Sequence, residues 1–147
     1  MSRALKPRDD DGSTLLLTIF FACLSLALIL VVVAATSLYL ERKRLFTLAD
    51  GAALAAAEAF ALDAVDITGT ETRPTLRSAD VAAAARRYLA SAPHPAFDGL
   101  AVSRAISVDG RSATVALSAR WRPPALALIL PAGVPLEVTA IARSVFD

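Results

Sequence analysis

The chain has 147 residues, 56% of them hydrophobic and 20% charged, with a formal net charge of +1. Acids and bases are scattered, without the basic stripe that neutralises phosphates along a duplex, so nucleic acid is not an expected partner. The lone cysteine, Cys23, leaves no intrachain disulfide and no thiolate metal cage.

Residues 1–12 form a polar leader carrying Arg3, Lys6, Arg8 and Asp9-Asp10-Asp11. From Gly12 to Leu40 no side chain is charged. About 20 apolar residues span a ~30 Å hydrocarbon core, so residues 13–40 are predicted to be a transmembrane helix with length to spare. A cleaved secretory signal has an apolar core of about 7 to 15 residues, and this run is about twice that. Val33-Ala34-Ala35 imitates a small-residue cleavage site, yet the helical pattern continues through it. Arg42, Lys43 and Arg44 on the far side match the bases of the leader, so the positive-inside rule leaves the orientation tied. Tyr39, Arg42 and Arg44 read as a membrane-boundary set, or as a contact with a partner.

Residues 41–62 lack proline and are dominated by alanine, the best helix former, so they are predicted to extend the helix. Counted from Leu15 to Leu62, the rod would be on the order of 70 Å long. Leu45, Leu48, Ala52, Ala55, Ala59 and Leu62 alternate spacings of three and four, which places them on one helical stripe. That stripe packs either against the chain's own domain or against a neighbouring subunit. Gly51 costs about 1 kcal/mol inside a helix, which points to a close contact or a bend there.

Residues 63–147 are predicted to be one small α+β domain. The stretch 63–78, with Gly69, Pro74 and several threonines, reads as a connection. Ser78 suits a helix N-cap and Asp80 the first turn of a short helix over 81–90, closed by Pro93. Period-two alternation follows. Val102, Ile106 and Val108 are expected on one strand face, interrupted by Arg104. Asp109-Gly110 is expected to be a two-residue type I′ turn. Val115, Leu117, Ala119 and Trp121 share a face of a second strand, ended by Pro123-Pro124. The apolar stretch 125–130 either covers the sheet as a helical turn or touches the bilayer as a loop. Leu136, Val138, Ala140 and Ala142 form a third alternating run, with Glu137, Thr139 and Arg143 opposite. Three antiparallel strands with a helix on one face make an α+β unit.

Catalytic signals are missing. His94 is the only histidine and sits in Pro93-His94-Pro95, a loop context. There is no P-loop, no Gly-x-Gly-x-x-Gly and no Gly-x-Ser-x-Gly, and Asp9-Asp10-Asp11-Gly12 lacks the spacing of a calcium loop. No enzyme activity, cofactor, metal site or small-molecule substrate is expected.

The N-terminal third resembles the Tad (tight adherence) pilus-assembly proteins of bacteria, the TadE- and TadG-like group associated with Flp pili. The residues that carry the resemblance are Asp11-Gly12-Ser13, then Leu38-Tyr39-Leu40-Glu41-Arg42-Lys43-Arg44-Leu45, then Ala49-Asp50-Gly51-Ala52-Ala53-Leu54-Ala55-Ala56-Ala57. The resemblance implies a single-pass protein of the bacterial plasma membrane, with a cytoplasmic N-terminus and an extracytoplasmic C-terminal domain. It implies partners among other Tad assembly proteins or pilin-like subunits, and it breaks the charge tie. In pilin-like members a prepilin peptidase cuts after a glycine before the apolar stretch, which here is the Gly12–Ser13 bond. Many such proteins carry a glutamate five residues beyond the cut, where this chain has Leu17; that departure points toward the TadG-like side. The Asp-x-Ser-x-Ser metal motif of larger TadG proteins is missing. The function implied is helix association in the bilayer with docking of the external domain, Ala52, Ala55 and Ala59 being candidate assembly contacts. The alternative is an envelope-anchored binding or sensing module unrelated to pili.

Overall fold

The computed structural model describes residues 11–59, 75–123 and 131–143, with side chains from residue 13 onward. The elements are α1 (Asp11–Ala57), α2 (Ser78–Ser91), β1 (Asp98–Ile106), β2 (Ser112–Trp121) and β3 (Val134–Arg143). The fold is α+β. Two compact units are distinguished, Met1–Thr36 and Ser37–Asp147.

In the first unit the described residues are helical, as a run rich in Leu, Ile, Val and Ala, without proline and with its one Gly at the start, allows. Two of its hydroxyls turn back onto the helix: Thr18 Oγ1 donates to Thr14 O at 2.8 Å and Thr36 Oγ1 to Val32 O at 2.9 Å. Such back-bonding satisfies a threonine without a partner outside the helix.

The second unit is built on an antiparallel sheet of order β1-β2-β3. Its core joins Leu45, Ala49, Ala52, Ala53 and Ala56 of α1 to Val81 and Ala85 of α2 and to Val115 and Leu117 of the central strand. The expected faces of β2 and β3 hold. Val115, Leu117, Ala119 and Trp121 are buried together, and Val138 and Ala140 are buried while Glu137, Thr139 and Arg143 are exposed. β2 ends at Trp121, with Arg122 between it and Pro123.

The helix boundary, the cap, the first strand and the turn differ from expectation. α1 ends at Ala57, and Leu62, like the stretch 125–130, lies outside the described residues. Ser78 is the first residue of α2, not its cap; Arg77 takes the cap position without a side-chain bond. The Ser78 hydroxyl instead donates to Ser107 O at 3.2 Å and accepts from Ser107 N at 3.1 Å, which ties α2 to the end of β1. α2 stops at Ser91, with the chain extended at Ala92 as the residues before Pro93 require.

β1 shifts register between Asp98 and Ala101 and again between Val102 and Arg104. The second bulge rephases the strand, so Val102 and Ala105 face the core together. Val108 falls beyond the strand and is 82% exposed. Asp109-Gly110 is not a two-residue turn: residues 107–111 connect the strands. Asp109 Oδ1 accepts from Arg111 N at 2.9 Å and from Ser112 N and Ser112 Oγ, each at 2.7 Å. This folds the loop around its carboxylate as an Asx turn. Gly110 takes φ +67°, where a side chain is disfavoured, and its carbonyl accepts from Leu76 N at 2.8 Å.

Gly51 marks a close contact. A Cβ there would collide with the hydroxyl end of Tyr88, so the glycine lets α2 lay its one tyrosine against α1.

Candidate anchor and boundary surface

The candidate site is a surface and not a pocket. In the first unit its side chains are large and uncovered: Leu16 is 71% exposed, Leu28 64% and Val31 64%. The most apolar 18-residue window of α1 is wholly unburied. Contiguous apolar surface on this scale marks a membrane or protein contact, and the helix fits a single-pass membrane anchor by length and composition.

Ser13, after the candidate cut, is exposed in the first turn of α1, and Leu17 is 55% exposed. At the upper end of the uncharged run Tyr39 is 66% exposed and Leu40 45%. Arg42, Lys43 and Arg44 are exposed beside the half-buried Glu41. Arg44 Nη1 lies 4.0 Å from Glu41 Oε2, a solvent-screened pair that adds little stability and leaves the cluster positive.

The alanine stripe divides. Ala52 is fully buried among Leu45, Leu48, Ala49 and Ala53 against the chain's own sheet and α2. Ala55 and Ala59 are half-buried at the rim. The face of α1 turned away from this core carries Phe46 (48% exposed) and Leu54 (55% exposed). Phe46 and Leu54 were missed by reading the Leu45–Leu48–Ala52 stripe alone; the signal is the same helical period traced on the opposite face.

Trp121 was expected only as a sheet residue. Its Nε1 donates to Ser37 Oγ at 3.2 Å, joining the end of β2 to α1. A tryptophan needs a partner for its N–H when buried, and the serine inside an otherwise apolar run supplies it.

Little chemistry converges elsewhere. His94 is exposed, with Nδ1 2.9 Å from Pro95 O and its ring stacked on Phe97 at 6.1 Å. Cys23 is exposed. Among the described residues no cluster of histidine, cysteine and acid side chains is placed to hold a metal. The Asp109 carboxyl is held well below the usual carboxylate range, chiefly by the Ser112 hydroxyl and then by the Ser112 and Arg111 amides. The groups that lower it lie within three residues of Asp109, with the exposed Arg143 of β3 a further 3.8 Å from its Oδ2, so the shift belongs to a structural turn.

No curated protein and no solved structure matches the chain. Residues 12–59, which include all of α1 but its first residue, match the family model described as "Putative Flp pilus-assembly TadE/G-like", and the resemblance to the Tad proteins holds over that segment.

Proposed function

We propose that the protein is a non-enzymatic, single-pass component of a Tad-type pilus assembly or secretion apparatus in the bacterial plasma membrane. Its N-terminus is cytoplasmic and its C-terminal domain extracytoplasmic. The observation that carries this reading is the family match over 12–59, on a helix whose uncharged stretch leaves its large apolar side chains without protein cover. The same match speaks against an envelope-anchored sensing module unrelated to pili.

The mechanism is lateral association of the uncharged helix in the bilayer, with docking of the domain onto other assembly proteins. Tyr39, Arg42 and Arg44, exposed around the boundary, and Phe46 and Leu54 on the outward face are the contacts this reading assigns to partners. Ala55 and Ala59 stay available at the rim. Ala52 serves by letting α1 approach its own sheet closely, since a fully buried methyl offers nothing to a second chain. Processing at Gly12–Ser13 belongs to the same proposal, and intact mass from the native membrane tests it. A mature chain beginning at Ser13 supports the cut, and one beginning at Met1 refutes it.

The assembly role is tested in cells that display the fibre. Removing the chain abolishes surface fibres, and the wild type restores them. A variant with Tyr39, Arg42 and Arg44 changed to alanine is made and inserted but restores them poorly. Undiminished fibres in cells without the chain would overturn the reading.

A further inference from the structure

The Trp121–Ser37 hydrogen bond of 3.2 Å fixes the height of the sheet on its own helix segment. Ser37 lies three residues before Leu40, the last residue of the uncharged run, and both belong to the same compact unit as the sheet. The last residues of β2 are therefore level with the place where the apolar segment gives way to charge. β1 begins at this end, with Asp98 opposite Arg120 in register, and β3 begins here with Val134 opposite Trp121.

The charge at this level is lopsided. Arg120 and Arg122 of the sheet and Arg42, Lys43 and Arg44 of the helix are exposed. Against these five cations stand Glu41, 4.0 Å from Arg44, and Asp98, paired with Arg122 at 2.8 Å, with Glu137 farther up the sheet opposite Ser118. Basic residues with long apolar stems and amphipathic aromatics are what a headgroup layer accommodates, and an anionic surface attracts such clusters within a Debye length.

We propose that this end of the sheet, the exposed Arg120 and Arg122 with Asp98 beside them and the buried Trp121 directly behind, is seated on the lipid headgroups next to Tyr39 and Arg42. The domain rests on the bilayer surface and favours anionic headgroups, with the ring of Trp121 held at interfacial depth by Ser37. The inference rests on the membrane-anchor reading and adds a second lipid contact, made by the domain itself.

Trp121 is the only tryptophan in the chain, so its emission reports on this place alone. The full chain is reconstituted in phosphatidylcholine vesicles with and without phosphatidylglycerol, using lipids brominated either near the headgroup or deep in the acyl chain. The expected result is flotation with the vesicles and stronger quenching by the shallow label than by the deep one. That quenching rises with phosphatidylglycerol and falls in the Arg120→Glu, Arg122→Glu variant while flotation is unchanged. A chain that floats but whose Trp121 emission ignores both labels overturns the seating and leaves the anchor standing. A chain that does not float overturns both.

Discussion

Two stretches of α1 reverse the usual relation between size and burial. Before Thr36 the large side chains are leucine, isoleucine, valine and phenylalanine, and they are exposed; from Leu45 to Ala57 alanine dominates, and every one but Ala55 is buried. In water the hydrophobic effect favours covering the larger surface first, at about 25 cal/mol per Å². A chain that covers its alanines and leaves its leucines bare has been shaped for two surroundings. The alanine stretch is narrow so that a sheet and a second helix can approach its backbone, whereas the leucine stretch presents the wide apolar surface that fits a membrane anchor.

That contrast is broken most directly in the core. Leu45→Ala should lower the stability of the second unit by about 2–5 kcal/mol, the cost of a buried leucine and the cavity it leaves. Leu24→Ala in the exposed stretch should leave unfolding of that unit unchanged. Thermal melts of the two variants in the same detergent check this, and equal shifts would refute the division.

Next in size is overpacking. Ala52→Leu forces a bulky side chain into a fully buried site and should cost about 1–3 kcal/mol, while Ala55→Leu at the half-buried rim should cost clearly less. If Ala55→Leu nevertheless lowers fibre display, the rim has an assembly role separate from folding.

Gly51→Ala sharpens the contrast on a smaller scale. Alanine gains up to about 1 kcal/mol of helix propensity over glycine, but its Cβ requires Tyr88 to move. The double variant Gly51→Ala, Tyr88→Phe removes the colliding hydroxyl and should melt higher than Gly51→Ala alone.

The smallest effect is the pH response of the 107–111 loop. Asp109 has a lowered pKa in the folded state, so its contribution is present above the ordinary aspartate value of about 3.9 and is lost as pH falls through the lowered value. The Ser112 amide should therefore keep its bonded chemical shift at pH 4 and change only below the ordinary carboxylate range. Asp109→Ala should remove that shift at every pH.

Much of this architecture was legible from pattern alone. The bare helix, β2 and β3 follow from an uncharged run and from strict alternation, because a helix without charge and a half-buried strand each leave a signature of one period. The stripe through Leu45, Leu48 and Ala52 was visible as well, but whether its partner lay inside or outside the chain was not. What failed has local physical causes. The bulge after Val102 rephases β1 without any glycine or proline to announce it. Asp109 has three donors within two or three residues of itself, and these hold a longer loop than the Asp-Gly pair suggests. Ser78 forgoes its own helix end for Ser107, 29 residues away, and Trp121 finds Ser37 across 84. Bonds of that span leave no trace in local sequence.

The central proposal is that the uncharged half of α1 lies within a bilayer. Cys23, the only thiol in the chain, lies in that half and is exposed on the helix, so a membrane-impermeant maleimide reads it without any substitution. With the full chain in intact vesicles the account predicts no labelling of Cys23, and complete labelling once the bilayer is dissolved and the chain unfolded. Labelling in intact vesicles at the rate of a free thiol would contradict it.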